Sequence, residues 1–586
     1  MATAKALQFF DYFIIAGYFL IVVGTAIYFS RKMKLTTDFF TAGGNIPWWL
    51  AGVSFFMASH SALAFVMYAE LSYKYGIIAI IMYQLTVPAL ILGGFFIAER
   101  WRRARAITPV QFLEKRYSLI VKQALAWTGI PLRLVDNALR VFSTAIFLYA
   151  GLRLSIIDLP MAIGLIGLVS ILYSFTGGQW GVIVTDFVQF IIQLTAVLLL
   201  LPLTIIELGG LSAFIHSAPA GLFDPLSGPY RILNIFSTFI ILAIALNSGW
   251  SLVQKYNCVK DEKDARKVAW TVAGLNFIGP ILFFGPALLA RVLLPNIENA
   301  KYCYAELSFT VLPVGMMGVM VVGMFSATLA TMGSELNVLA GILTNDVYKS
   351  VVKPKATEKE LLVVGRITTA LMGILIVLVA MLISLLQSYN LFDLMMKAFG
   401  AILPATTLPI LAGLFWKRIN VKGALLGLVV GAISGVLLVI INVFLVQEYQ
   451  AEMNANPSLE YWLKQGWDGV SILINVVVTI GAMYLGSKLF RTSDEEESRI
   501  GLFFRDLAVP ITVQSDTKSA SISNFKVIGI STALFGILLA LAGIGIKLFN
   551  EDTEKYGVTI LIGVLLVLLG LVIYLFSYKK STSSDR

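Results

Sequence analysis

The chain has 586 residues, of which 58 % are hydrophobic and 13 % charged. A soluble domain carries about twice that share of charged residues, so the composition excludes a soluble protein and indicates many membrane spans. The net charge of +10 would suggest nucleic acid in a soluble protein, but in a membrane protein it is typical of basic cytoplasmic loops. We therefore expect a lipid bilayer, and no nucleic acid, as the protein's surroundings.

Fifteen continuously apolar runs are long enough to cross a bilayer, which takes about 20 helical residues. Because these runs do not alternate between apolar and polar residues, the sequence excludes a transmembrane β-barrel. The predicted spans are residues 11–30, 46–70, 76–98, 122–153, 159–177, 180–207, 233–254, 268–295, 311–345, 364–388, 391–416, 422–446, 468–489, 526–549 and 557–577.

The basic residues give these spans one orientation. With the N-terminus outside, seven segments that contain lysine and arginine all fall on the cytoplasmic side. One missed or additional span would reverse every later segment, so this agreement supports the count. The sequence predicts a multi-pass protein of the plasma membrane with a cytoplasmic C-terminus. The absence of glycosylation sequons from the outer loops fits a bacterial inner membrane.

Two spans contain short polar interruptions, at residues 57–62 and 247–251. In lipid such breaks persist only where the freed backbone groups meet protein, water or an ion. Transporters place them at matching positions of two halves of the fold, so we interpret spans 2–6 and 7–11 as two five-helix repeats. Tight packing of small residues is the alternative explanation.

This interpretation divides the chain into five parts. The polar stretch near its C-terminal end, with an acidic run at 494–498, is expected to be a solvated connector. The parts are an N-terminal extra helix and loop (1–45), a first repeat (46–207), an outer loop (208–232), a second repeat (233–416), and C-terminal helices (417–586) that include a cytoplasmic linker at 491–525.

The ninth predicted span is rich in small and hydroxyl-bearing residues. Thr331 and Ser334 are three residues apart and share a helix face with Ala327 and Ala330. Hydroxyl and carbonyl oxygens suit a hard, weakly held cation such as Na⁺. Hydroxyls that bond back to their own helix are the alternative.

Charged residues within the predicted spans are functional-site candidates by default. Arg140 lies near the middle of the fourth span, four residues after Asp136, and an internal ion pair is the alternative to a ligand-binding role. Asp186 lies two turns into the sixth span, where a charge near the membrane interface is the alternative.

Six strings occur in order between about residues 10 and 430. They are DFFTAGG at 38–44 with IPWW at 46–49, FLEKRY at 112–117, YSFTGG at 173–178 with TD at 185–186, VQKY at 253–256, NDVYK at 345–349, and GLFWKR at 413–418 with KGA at 422–424. Together they resemble the sodium:solute symporter family, which includes sodium–glucose, sodium–proline and sodium–sialic acid cotransporters. The resemblance implies an all-α, LeuT-type 5+5 inverted repeat, with one extra N-terminal helix and about four extra C-terminal helices.

The resemblance also implies a sodium site and makes Na⁺ the coupling ion. The residues that match the family's main site are Met57, His60, Ala327, Ala330 and Thr331, where Met57 and His60 would contribute backbone carbonyls and face the other three on the ninth span. Relatives usually carry two adjacent hydroxyl residues where this chain has Ala330 and Thr331, so one side-chain ligand is missing. A second sodium site would match Asp186 and Ser334, but another hydroxyl of that site is replaced by Gly333.

The substrate residues of sugar-carrying relatives are not preserved. Where those relatives have a glutamine on the first broken helix, this chain has Ala64. At three further positions where the relatives have polar substrate-binding residues, this chain has Tyr83, Asn276 and Met396. Arg140 matches the position that is thought to hold the substrate carboxylate in sialic acid cotransporters. The candidate pocket residues are Arg140, Tyr83, Gln84, Asn276 and Thr406.

These features predict a sodium-coupled symporter that imports a small polar solute by alternating access, rather than an enzyme. No nucleophile–base cluster or phosphate-binding loop is found in the sequence. The expected solute is an organic acid or zwitterion because of Arg140, with a sugar as the alternative. A membrane sensor without transport activity and a channel are two further alternatives. The solute and the oligomeric state are not specified by the sequence.

Overall fold

The computed structural model describes residues 7–30, 44, 46–106, 111–152, 158–174, 178–385, 391–511, 520–549 and 556–582. Apart from one isolated β-bridge between Ile46 and Val259, regular structure in these residues is helical. An all-helical chain satisfies its backbone hydrogen bonds within each segment, as the hydrocarbon core of a bilayer requires.

Thirteen α-helices lie between residues 9 and 257 of the described chain. They are α1 (Phe9–Ser30), α2 (Trp48–Ser59), α3 (Ala62–Tyr75), α4 (Ile78–Gln84), α5 (Thr86–Phe96), α6 (Ala98–Arg103), α7 (Gln111–Arg116), α8 (Leu119–Leu152), α9 (Leu159–Ser174), α10 (Gly178–Glu207), α11 (Leu211–Ser217), α12 (Ile232–Ser248) and α13 (Trp250–Asn257).

Twelve further α-helices lie between residues 262 and 582 of the described ranges. They are α14 (Glu262–Leu293), α15 (Cys303–Val311), α16 (Met316–Gly341), α17 (Glu358–Ser384), α18 (Leu391–Phe415), α19 (Val421–Glu448), α20 (Gln450–Ala455), α21 (Pro457–Tyr461), α22 (Trp467–Leu489), α23 (Asp494–Ala508), α24 (Ala520–Phe549) and α25 (Tyr556–Thr582). A wider, π-type helical segment, Ile342–Val352, extends α16.

The helices follow the predicted spans in order. Ten continuous helical segments of the described chain are long and apolar enough to cross a membrane, and two bent pairs pass the same test together. Two shorter apolar helices, Phe9–Thr25 and Leu159–Ser174, match the first and fifth predicted spans. The fourth predicted span is α8, whose 34 residues include several charged side chains. Every predicted span therefore coincides with a described helix or bent pair, and twelve of these are long and apolar enough to cross a membrane.

Both predicted interruptions are bends. The axes of α2 and α3 differ by 60°, and those of α12 and α13 differ by 48°. His60 and Ser61 separate the first pair in extended conformations, with φ of −118° and −121°. Gly249 separates the second pair with φ −58° and ψ 127°. Each bend therefore frees backbone groups in the middle of a spanning segment.

Helix α16 is the centre of the fold, because every one of its 26 residues is buried. It packs against α1, α2, α8, α9, α10 and α17, which belong to both predicted repeats and to the N-terminal extra helix. Its small residues allow this close packing. A helix that is enclosed on all sides can hold polar groups away from lipid.

The C-terminal helices are attached through close backbone contacts. A Cβ atom added at Gly435 of α19 would lie 1.8 Å from the carbonyl oxygen of Ala401 in α18. Helices α24 and α25 form a pair that packs against α1 through α24. The extra helices therefore surround the core rather than forming a separate body.

The stretch 491–525, which was expected to be a solvated connector, contains the helix α23 in its described part. Its buried residues Glu496, Ile500, Phe503 and Leu507 recur every three or four positions on one face. Glu496 Oε1 accepts a hydrogen bond from Val421 N at 2.6 Å, and the helix packs on α6 and α7. The composition of the segment is dominated by its acidic run, so composition alone does not reveal this amphipathic pattern.

Candidate functional site

A central cavity of about 130 Å³ lies beside both helix breaks. It is lined by Ser59 and Ser61 from the first break and by Gly249 and Ser251 from the second. Helix α8 contributes the largest charged side chains. Four charged residues line the cavity within the described chain, and they are Arg133, Asp136, Arg140 and Glu335.

Arg140 is held by two neighbours at one wall of this cavity. Its Nη2 donates to Asp136 Oδ2 at 3.1 Å, and its Nη1 donates to Ser61 Oγ at 3.2 Å. Arg140 Nε and Asp136 Oδ1 are buried and have no hydrogen-bond partner among the described residues. The internal pair is therefore formed, and each partner still presents one unsatisfied atom.

A second wall is built from aromatic and amide side chains. Tyr83 Oη is 2.6 Å from His60 Nδ1 and donates to Asn276 Oδ1 at 3.2 Å. The His60 ring stacks on Phe56 with centroids 4.8 Å apart. Of the predicted pocket residues, Tyr83, Asn276 and Arg140 therefore meet at the cavity.

The other two predicted pocket residues lie elsewhere. Gln84 follows Tyr83 on α4 but points away, and its side chain donates to Phe277 O at 3.4 Å. Thr406 is buried in α18, where its hydroxyl bonds back to Ile402 O and Leu403 O at 3.2 Å each. The cavity is lined instead by Leu403, one helical turn away. Helix rotation, which sequence spacing alone does not fix, accounts for both placements.

The first break lies against α16, where the candidate main sodium residues are found. Ala62 N, just after the break, donates to Thr328 Oγ1 at 3.4 Å, and Thr328 Oγ1 is 2.6 Å from Thr144 Oγ1. Met57 O accepts from His60 N at 3.3 Å. The break and α16 are thus joined one residue away from Ala327.

Thr331 has a local hydrogen bond as well. Its Oγ1 donates to Ala327 O at 2.6 Å, and Ala327, Ala330 and Thr331 are all fully buried. This is the back-bonded arrangement that the sequence left as an alternative. A donating hydroxyl retains lone pairs, so this bond leaves the oxygen able to contact a cation.

The candidate second sodium residues already have a cationic neighbour. Lys255 Nζ donates to Ser334 Oγ at 3.2 Å and lies 3.9 Å from Asp186 Oδ2. Ser54 donates a short hydrogen bond to the same carboxylate oxygen. Asp186, Lys255 and Ser334 are fully buried, so the Asp186 carboxylate is enclosed by protein and faces a cation.

Sequence reasoning missed three polar residues near these sites. Glu335 and Arg133 form an ion pair at 3.3 Å in the cavity lining, and Lys255 adjoins Asp186. Each was visible as a charge inside or at the end of an apolar run. Arg133 is also seven residues before Arg140 on α8, which is the spacing of one helix face. Their partners lie far away in sequence, and spacing could not identify them.

Two bent helices beside a polar cavity, within an all-helical membrane protein, define a secondary transporter of the LeuT type. The chain belongs to the family described as "Sodium:solute symporter family", whose model matches residues 39–431. It is accordingly a sodium-coupled symporter of the plasma membrane that works by alternating access, and it is not an enzyme.

Similar proteins carry several kinds of solute. The sodium/glucose cotransporter of Vibrio parahaemolyticus is 27 % identical and aligns over 72 % of this chain and 84 % of its own length. The sodium/sialic acid symporter NanT of Aliivibrio fischeri is 26 % identical, with 74 % and 88 % covered. The human sodium/myo-inositol cotransporter 2 is 25 % identical, with 78 % and 73 % covered.

A solved structure shows the same fold. A substrate-bound, outward-open sodium-coupled sialic acid symporter superposes with a TM-score of 0.70. The alignment covers 82 % of this chain and 98 % of that chain, at 23 % identity. The likeness confirms the predicted all-helical, LeuT-type architecture.

Proposed function

We propose that this symporter binds its coupling sodium ion at the first helix break and carries a small polar solute of no net charge in the central cavity. The ion's ligands would be the carbonyl oxygens of Met57, His60, Ala327 and Ala330, together with the hydroxyl of Thr331. The hydrogen bond from Ala62 N to Thr328 supports this assignment, because it joins the break to α16 beside these residues.

The Arg140–Asp136 pair carries the proposal about the solute. Arg140 was the reason to expect an organic acid, but its guanidinium is neutralised 3.1 Å away by Asp136. A solute with a net negative charge would therefore add an uncompensated charge beside a pair that is already neutral, and a buried charge without a partner is strongly destabilising. The second pair in the cavity, Arg133–Glu335, likewise adds no net charge.

A zwitterion fits the unsatisfied atoms best. Arg140 Nε is a donor suited to a solute carboxylate, and Asp136 Oδ1 is an acceptor suited to an ammonium group. A polyol is the second candidate, because a hydroxyl can both donate and accept. The glucose and myo-inositol carried by two relatives belong to that class.

Uptake into proteoliposomes tests the proposal. The purified protein would be given an inward sodium gradient and labelled L-proline, myo-inositol, D-glucose or N-acetylneuraminate, with a choline gradient as the matched control. We expect sodium-driven uptake of L-proline or of a polyol and none of the anionic N-acetylneuraminate. Uptake of the anion alone would contradict the proposal.

A further inference from the structure

Glu335 is an acidic residue in the most enclosed helix of the protein. It lies one turn after Thr331 on α16, and only 2 % of its surface is exposed. A carboxylate at such a position is expensive unless it is paired or serves a ligand. The hydrogen bonds around Glu335 therefore show which of its two carboxylate oxygens is paired within the protein.

One carboxylate oxygen is fully engaged. Oε1 accepts from Arg133 Nη1 at 3.3 Å and accepts a short hydrogen bond from the Ser251 hydroxyl. The Arg133 guanidinium is itself held 5.2 Å above the Trp250 ring. These contacts come from α8 and from α13, the second half of the second broken helix, so the carboxylate is fixed from two sides.

The other oxygen is not engaged. Oε2 is buried and has no hydrogen-bond partner in the described chain, although Glu335 lines the central cavity. Two more atoms of cavity-lining residues share this condition, the acceptor Asp136 Oδ1 and the donor Arg140 Nε. A buried acceptor without a partner is costly, and a solute that supplies a donor removes that cost.

We infer that Glu335 is a solute-binding residue, which accepts a hydrogen bond from a hydroxyl or ammonium group of the solute through Oε2. Arg133 and Ser251 are positioning residues that hold the carboxylate through Oε1. The inference deepens the proposed function and rests on it, because it requires a solute with at least two donor hydrogens. Asp136 Oδ1 takes the second of these donors, and Arg140 Nε binds an acceptor.

The variant Glu335→Gln tests this geometry directly. Glutamine keeps the length of the side chain, and its carbonyl oxygen can still accept from Arg133 and Ser251. Its amide nitrogen would then stand in place of Oε2, so that a donor faces the solute's donor. We expect the solute concentration for half-maximal uptake to rise about tenfold or more, with a sodium titration that stays within about twofold of wild type.

A double variant separates binding from structural pairing. Arg133→Gln combined with Glu335→Gln leaves no charge unpaired, so a purely structural role would be rescued in the double variant. If Glu335 binds the solute, half-saturation stays high in the double variant. A return to the wild-type value would overturn the inference.

Thermal unfolding of the detergent-purified protein, in saturating sodium, gives a second readout. The probes are L-proline, myo-inositol and N-acetylneuraminate. We expect L-proline or myo-inositol to raise the melting temperature of the wild type and to have no effect on Glu335→Gln. If the solute raises the melting temperature of both proteins equally, the role of Glu335 is overturned but the proposed net-neutral solute is not. If N-acetylneuraminate is the one probe of the three that stabilises the wild type, the proposed net-neutral solute is overturned as well.

Discussion

The ammonium group of Lys255 lies 3.2 Å from the hydroxyl of Ser334, one of the two residues that suggested a second sodium site. The other residue, Asp186, is 3.9 Å from the same nitrogen. All three side chains are fully buried. A fixed positive charge thus stands beside the ligands that a second ion would need, and it competes with that ion by repulsion.

Removing this charge should therefore change the ion stoichiometry. We expect the sodium dependence of wild-type uptake to have a Hill coefficient near one. In Lys255→Met we expect this coefficient to rise towards two. The reason is that the variant leaves the Asp186 carboxylate without its cation, and sodium can replace it. Sodium titration of solute uptake at a fixed membrane potential measures the coefficient.

The matched control is Lys255→Met combined with Asp186→Asn. This pair removes both charges, so no second ion should bind and the coefficient should return to about one. A coefficient near one in Lys255→Met alone would show that Asp186 and Ser334 cannot hold sodium in this chain.

Thr331 supplies the only side-chain ligand of the proposed main site. We expect Thr331→Ala to raise the sodium concentration for half-maximal uptake about tenfold or more, since a hydrogen bond or contact to a charge is worth roughly 1.5–3 kcal/mol. Thr331→Ser should behave like wild type. Thr368→Ala removes another back-bonded hydroxyl, in α17, and serves as the control. An unchanged sodium titration for Thr331→Ala would place the site elsewhere.

Asp136 should determine which charge the cavity accepts. Asp136→Asn keeps the side-chain size but leaves Arg140 without its neutralising partner, so the cavity gains one positive charge. We expect N-acetylneuraminate to inhibit L-proline or myo-inositol uptake at least about tenfold more strongly than in wild type. Competition curves for the two proteins provide the comparison, and identical curves would mean that Asp136 does not tune solute charge.

Arg140 should affect solute binding through the planar geometry of its guanidinium as well as through its charge. It reaches Asp136 and Ser61 with two different nitrogens, and a lysine ammonium cannot reproduce that geometry. We expect Arg140→Lys to weaken solute half-saturation about tenfold while the sodium titration is retained. Unchanged solute affinity together with a lower melting temperature would instead assign Arg140 a structural role.

The contact between α18 and α19 depends on the absence of a side chain at position 435. Gly435→Ala would place a Cβ atom 1.8 Å from the Ala401 carbonyl oxygen, and such overpacking costs about 1–3 kcal/mol or more. We expect a lower melting temperature for this variant. Gly481→Ala is the control, because no atom lies within 4 Å of the added Cβ. Equal stability of the two variants would argue against this helix contact.

The fold could be predicted from the sequence because the bilayer constrains it strongly. Continuous apolar runs, basic loops and two polar breaks were enough to give the spans, and the helices follow them. The helix α23 was missed because its acidic first turn dominates the composition of the segment. Its buried Ile500, Phe503 and Leu507 have the three- and four-residue spacing of an amphipathic helix. The four acidic residues of the first turn were given more weight than this spacing.

The site was predictable only in part. Spacing correctly placed Asp136 and Arg140 on one face of α8, since both lie on a single helix. The partners of Glu335 and Asp186 come from other helices, and their approach depends on how the helices rotate and bend. Gln84 illustrates the limit, because it adjoins Tyr83 in sequence but its side chain donates to the backbone of Phe277 on α14.

The buried ammonium of Lys255 has an electrical consequence. If this ammonium takes the place of a second sodium ion, each cycle moves one sodium ion with a net-neutral solute and transfers one elementary charge. At an inside-negative potential of 100 mV that charge is worth about 2.3 kcal/mol. Since about 1.4 kcal/mol corresponds to a tenfold ratio, the voltage alone would sustain a roughly fiftyfold accumulation of solute. The symporter would then carry a current and accumulate solute even where the sodium concentration is equal on both sides.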